Sequence, residues 1–179
     1  MDIEAWVNYH ISFNDHSASF SLPSGGRLTV SPVSEISNEY LNKDFLTILD
    51  VGYDYKDGYQ SVPGFRLGVQ ITKYPEGIMG QNAQGGELLD VLLLTFNKLY
   101  SGSVSYKEKT REDLTLESIG RNIWVYSSGK NGESYSMNFT ECCFISVNAN
   151  YYGKEYLNES WLKSRKEIFR KFVENFLVE

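Results

Sequence analysis

The chain is 179 residues long, 41% hydrophobic and 15% aromatic, with a net charge of −6. That length suits one domain with its own core, and the apolar content excludes a disordered chain. Residues 1–60 hold nine acids against three bases and account for the whole net charge, which argues against nucleic acid or an anionic membrane as partner and suits a basic protein.

The N-terminus MDIEAWVNYH is acidic and has no apolar stretch of signal-peptide type, so no signal peptide is expected. Short alternating runs follow: Val7, Tyr9, Ile11 and Phe13, then Ala18, Phe20 and Leu22. They predict two strands joined by a turn at Asn14-Asp15-His16, the second ending at Pro23-Ser24-Gly25-Gly26. Arg27 to Val33 reads as another extended piece, placed at an edge by Pro32. Residues 34–45 carry no clear pattern. Phe45 to Tyr53 reads as a strand, Asp54 to Gly64 as a turn region, and Phe65 to Tyr74 as a strand with Phe65, Leu67, Val69 and Ile71 on one face.

Pro75 to Gly86 is a glycine-rich loop. Glu87 to Tyr100 predicts a helix, with acids in its first turn and Lys98 in its last, as the helix dipole prefers. Its leucines leave little polar face, so deep burial is expected. Lys107 to Asp113 is a charged link, and Thr115 to Tyr126 reads as one strand with Ile119, Ile123 and Val125 on one face and Trp124 and Tyr126 on the other. Ser127 to Glu133 is a hairpin turn. From Tyr135 to Tyr151 the odd positions are mostly apolar and the even ones mostly polar. A period of two marks a half-buried strand, but the run is too long for one, and Glu141 on its apolar side predicts a bulge, bend or break. A last helix starting near Asn158 shows an apolar stripe containing Trp161, Phe169, Phe172 and Phe176, with Lys163, Lys166, Arg170 and Lys171 off it. No stretch reaches the ~18 apolar residues that a membrane span needs.

The chemistry-bearing residues are few. His10 and His16 are the only histidines and flank the first turn; a metal centre needs three or four convergent ligands, so none is expected there. Asp50, Asp54, Asp57 and Gly58 lack the spacing of a calcium loop, and the glycine-rich loop lacks a phosphate-binding lysine. The adjacent Cys142 and Cys143 would point to opposite faces of a strand, so both are expected to be reduced, which suits the cytoplasm. The loop bearing Asp54, Tyr55, Asp57 and Tyr59 combines acid with aromatic surface, the composition that meets a basic partner.

The expected architecture is α+β: an antiparallel β-sheet covered by a buried central helix and an amphipathic C-terminal helix, in a single domain over residues 1–179. The segments FSLPSG (Phe20 to Gly25), FRLGVQITKYP (Phe65 to Pro75) and SYSMNFTECCFISVNANYYG leading to WLKSRKEIFRKFVENF resemble the PsbP/DcrB-like fold over nearly the whole chain. That resemblance implies a mostly non-enzymatic family, which includes photosystem extrinsic proteins, a nuclear-import factor, effector chaperones and immunity proteins. No residue-level motif carries over. The expected function is therefore that of an immunity protein, a protein-binding module that neutralises a secreted antibacterial toxin with a basic surface by occluding its active site. Asp54, Tyr55, Asp57, Tyr59, Met79 and Gln81 are the candidate contacts, and no cofactor is expected. The alternatives are an effector chaperone that holds an apolar client helix in a groove on the sheet, and an enzyme using His10 or His16.

Overall fold

The computed structural model describes residues 5–13, 15–34, 47–58, 61–75, 78, 83, 85–99, 107–153 and 159–179. Its elements in chain order are β1 (Trp6–Phe13), β2 (His16–Pro23), β3 (Arg27–Ser34), β4 (Thr47–Asp54), β5 (Gly64–Lys73), α1 (Gly86–Leu99), β6 (Leu114–Ile119), β7 (Asn122–Ser128), β8 (Gly132–Thr140), β9 (Cys143–Tyr152), α2 (Glu159–Glu174) and β10 (Leu177–Val178). They form two antiparallel sheets. One has seven strands in the order β3-β4-β5-β9-β8-β7-β6, the other three in the order β1-β2-β10. The class is α+β, as the sequence predicts, with a second small sheet that it does not reveal.

The long alternating run is two strands. The chain turns at Glu141-Cys142 and returns as β9, which lies between β5 and β8 at the centre of the large sheet. Alternation along β9 sends Ile145, Val147, Ala149 and Tyr151 into the larger core and leaves Ser146, Asn148 and Asn150 half-exposed on the opposite face. That larger core joins the same face of β5 (Leu67, Val69, Ile71) to Phe169, Phe172 and Val173 of α2, Phe176 beyond it, and Phe20 and Leu22 of β2. Phe20 stacks on Phe176 at 5.4 Å and meets Phe172 edge-on at 5.8 Å, which fixes α2 between the two sheets.

The other face of the large sheet carries a smaller core. Leu88, Leu89, Leu92 and Phe96 of α1 pack with Tyr74, Leu114, Val125 and Phe144. The deep burial expected of this helix is corrected: it is covered on one side only, with Leu94 64% exposed and Glu87 and Asp90 exposed as well, because only its Leu88–Leu92–Phe96 face meets the sheet. Beyond α1 this face is polar. Across it Gly52 pairs with Gly68, which pairs with Asn148. The Arg66 guanidinium lies where a side chain at Gly52 would be, so a larger residue there would have to displace it.

Two further expectations are corrected, one about the chain path and one about the cysteines. Residues 114–128 form two strands, β6 and β7, because the chain reverses at Gly120-Arg121. Gly120 adopts φ 62°, and a side chain there would run into the Glu174 carbonyl oxygen. Ile119 therefore shares the larger core with Trp124, and not a face with Ile123 and Val125. Cys142 and Cys143 are disulfide-bonded rather than reduced. The expectation assumed a strand, whereas Cys142 lies in the β8–β9 turn, where adjacent side chains need not diverge.

Candidate functional site

Of the residues expected to contact a partner, Asp54, Tyr55 and Asp57 lie together at the end of β4, but they are engaged within the fold. Asp54 accepts a hydrogen bond from Arg66 Nη1 at 3.1 Å. Tyr55 is a core ring, 5% exposed, edge-on to Phe65 at 5.8 Å. Asp57 Oδ2 accepts from Arg165 of α2, at 2.8 Å from Nε and 2.7 Å from Nη2. The Arg165 guanidinium sits 4.9 Å from the centres of both the Tyr55 and Trp161 rings. A planar, delocalised cation suits this aromatic sandwich, and the carboxylate satisfies its edge. The cluster fastens α2 to the β4–β5 connection. Tyr55 is thus a packing residue rather than a surface anchor, and the Asp57 carboxylate is already neutralised. Tyr59, Met79 and Gln81 lie outside the described residues.

A more open site lies between β7 and β8. These strands pair from Ser128↔Glu133 to Val125↔Ser136, and the pairing stops there. Both continue: β7 extends back to Asn122 alongside β6, and β8 runs on to Thr140 alongside β9. A cavity of about 570 Å³ opens where they part, with Arg121, Asn122 and Ile123 on one wall and Met137 to Glu141 on the other. Leu88, Ala83 and Gly85 close it on the α1 side, and His16 contributes from the start of β2. This volume is within the ~300–1,000 Å³ range of ligand pockets.

The split has a physical cause. Asn122 Nδ2 donates to the Phe176 carbonyl at 2.7 Å, and Trp124 sits edge-on to the Phe176 ring at 5.6 Å. Together with the Gly120–Glu174 approach, these contacts draw the β6–β7 hairpin tip toward the end of α2 and away from β8. The opposite wall is held too. Asn138 Oδ1 accepts from the Tyr74 hydroxyl while its Nδ2 donates to the Ala83 carbonyl at 2.6 Å. Burial raises the Tyr74 pKa, which keeps that hydroxyl a donor. Thr140 Oγ1 lies 3.2 Å from Cys142 Sγ.

The Asn122 and Asn138 amides are therefore occupied, and the lining is mixed: Ile123 and Met137 are its more accessible apolar side chains, Leu88 and Phe139 are buried behind them, and Arg121, Thr140 and Glu141 are polar. Ile123 is 55% exposed despite being a large hydrophobe. Arg121 and Glu141, on opposite walls of the mouth, are both exposed. His16 lies 5.9 Å from the Phe139 ring, while His10 hydrogen-bonds to Ser19 at 3.0 Å and Ser12 at 3.2 Å on the small sheet. The two histidines thus serve different surroundings. Among the described residues no group of His, Cys, Asp and Glu is arranged to hold a metal ion, and no helix is long and apolar enough to cross a membrane.

Sequence reasoning passed over Arg121, Ile123, Met137, Phe139 and Glu141 as site residues. The Gly120-Arg121 step is a turn signal that would have exposed the hairpin. Nothing in the residue pattern announces where pairing between β7 and β8 ceases.

A second hollow, about 630 Å³, lies over the polar part of the large sheet, with Gln70, Ser146, Asn148 and Asn150 on its floor and Phe96 and Leu99 at the α1 end. Comparison with known protein families, with characterised proteins and with solved structures finds no match to this chain.

Proposed function

We propose that this protein is a non-enzymatic protein-binding module that engages its partner at the β7–β8 cleft. The observation that carries this reading is the cleft's composition: an exposed Ile123 beside Met137, Asn122 and Asn138 amides satisfied within the fold, and a charged mouth. Interface hot spots have this form, because an apolar anchor gains from desolvation while no buried polar group is left without a partner. The chain's acidic N-terminal third supports a basic partner through faster encounter, and the partner class drawn from the PsbP/DcrB-like resemblance is a secreted antibacterial toxin, neutralised by occlusion of its active site. Cytoplasmic placement belongs to the same reading, although it no longer draws support from reduced cysteines.

The effector-chaperone alternative needs an apolar groove on the sheet. The uncovered sheet surface instead carries Gln70, Asn148 and Asn150, which favours the cleft as the binding surface. The enzyme alternative retains one specific observation, the presence of His16 in a cavity with Glu141 at its mouth. The discriminating experiment is capture from native lysate by the tagged wild-type protein and by Ile123→Lys, at low and moderate salt. A stoichiometric partner held by wild type, lost by the variant and inhibited in its own activity on binding supports the module. If no protein is captured at either salt, the module reading fails and His16→Ala becomes the variant to assay.

A further inference from the structure

We propose that the Cys142–Cys143 disulfide is a reversible redox site, opened at Cys142 by thiol reductants, and that its opening releases the β8–β9 turn and the cleft wall attached to it. The inference stands apart from the identity of whatever the cleft binds.

The bond is poorly placed to act as a staple. A disulfide stabilises a fold mainly by closing a loop of the unfolded chain, and the effect grows with the length of that loop. Cys142 and Cys143 are neighbours, so the loop between them holds no residue. The hairpin around them is held by other means: β8 and β9 pair from Gly132↔Asn150 to Thr140↔Cys143, and β9 pairs along its whole length with β5. In a reducing compartment, the disulfides that do form are mostly transient and redox-sensing.

The two sulfurs differ in access. Cys143 is the first residue of β9 and is 0% exposed in the larger core, whereas Cys142 lies in the turn and is half-buried. A reductant thiolate therefore meets Cys142 Sγ. Its attack forms a mixed disulfide at Cys142, breaks the bond to Cys143, and releases Cys143 as a thiolate that takes up a proton. A second reductant thiolate attacks the reductant's own sulfur in the mixed disulfide, closes the reductant's disulfide and releases Cys142, which is protonated in turn. Two thiols of the reductant are oxidised and two thiols of the protein are formed.

Opening the bond has a local consequence. Cys143 keeps its place in both ladders, while Cys142 loses its tie to the start of β9. Cys142 touches the cleft wall by two routes. Its carbonyl accepts from the Tyr74 N–H at 2.9 Å, and its Sγ lies 3.2 Å from Thr140 Oγ1. Tyr74 donates through its hydroxyl to Asn138, and Asn138, Thr140 and Glu141 line the cleft. The register of β8 also shifts between Asn138 and Thr140, so this end of the hairpin can adjust without breaking the regular pairing behind it.

The test equilibrates the whole chain in glutathione buffers from strongly reducing to strongly oxidising, quenches with acid, and counts free thiols by alkylation and mass spectrometry. A redox site passes reversibly between no free thiols and two while the protein stays native by circular dichroism. A chain that remains oxidised throughout, remains reduced throughout, or unfolds as the bond opens overturns the proposal. Amide hydrogen exchange, read by NMR on both forms and on Cys142→Ser, tests the consequence. The Tyr74 amide is expected to exchange about tenfold faster in the dithiol form, the equivalent of one lost hydrogen bond, and the signals of residues 138–141 to shift, with Val147 in the middle of β9 unchanged. Cys142→Ser should reproduce the dithiol form, and the reduced wild type gives the same reading if that variant does not fold. Equal exchange at Tyr74 in the oxidised and dithiol forms means that the turn ignores the bond, and faster exchange throughout β9 means that the bond is a staple after all; either result overturns the proposal.

Discussion

Two regions of this molecule put charged and aromatic side chains to opposite uses. At the end of β4, Asp57, Tyr55, Trp161 and Arg165 close on one another, so a loop that reads as adhesive in the sequence is an internal fastener. At the β7–β8 cleft, Arg121 and Glu141 stand exposed beside Ile123 and Met137, and the Asn122 and Asn138 amides are already satisfied. The comparison teaches that acid-plus-aromatic composition does not identify an interface. An ionic or aromatic group is available to a partner only if the fold has not engaged it first, and engagement depends on which distant element arrives. Arg165 reaches Asp57 from 108 positions along the chain.

The strongest way to break the comparison is to remove the pin of the cleft. Phe176 is 1% exposed and contacts Phe20, Phe172 and Trp124. Phe176→Ala is expected to cost about 3–5 kcal/mol by the cavity it leaves, read from urea denaturation midpoints. Little change would mean that the α2 end does not anchor the β6–β7 hairpin.

Next in size is the fastener. Arg165→Ala removes the partner of a mostly buried carboxylate and the cation between two rings, for an expected loss of about 2–4 kcal/mol. Partner binding at the cleft should be unaffected once the protein is folded, and isothermal calorimetry at a temperature where the variant remains native checks this. A parallel loss of binding would mean that the two regions are coupled.

Alkaline pH should give a smaller, graded effect. Burial, together with the hydrogen bond to Glu133 and its charge, raises the Tyr126 pKa from its ordinary value of 10.0 to about 12. Tyr135 and Tyr151 shift the same way, burial again being the main cause, helped by Glu117 and Glu133. The folded state holds these protons more tightly than the unfolded state, so the associated stability is fully present below about pH 10 and falls as pH rises through about 12. Denaturation midpoints at stepped alkaline pH should decline over this window, and less steeply for Tyr126→Phe. A flat profile would show that the tyrosine–glutamate network contributes nothing by its protonation.

The smallest effect on stability is expected at the cleft. Ile123→Lys should shift stability by no more than about 0.5 kcal/mol, because the side chain is mostly exposed, while partner affinity falls by about tenfold or more. A large drop in melting temperature would show that Ile123 is packing surface and not binding surface.

Much of the fold was legible residue by residue. Alternation placed Ile145, Val147, Ala149 and Tyr151 on a buried face, and Glu141 marked the interruption where the chain turns into β9. The helical stripe of Phe169, Phe172 and Phe176 similarly foretold the surface that α2 and its end bury. These signals are local: periods of two and of 3.6 record which side of an element faces apolar neighbours. The reversal at Gly120 was present but masked by apolar residues on both sides. β10, with only Leu177 and Val178, was too short to show any period, and its existence depends on β2 being there to pair with it.

By itself, then, the sequence determined the class of the fold, most of its strands, the existence of both helices and the apolar stripe of α2, because those properties follow from backbone geometry and apolar spacing over a few neighbouring residues. Tertiary structure decided which charges remain uncommitted, how the two sheets share α2, how the sulfurs of Cys142 and Cys143 meet at a turn, and that β7 parts from β8. Each of these depends on contacts between residues far apart in the chain. The cleft is the clearest case: it exists because Asn122 and Trp124 meet Phe176, more than 50 positions later, and no pattern local to β7 or β8 encodes that encounter.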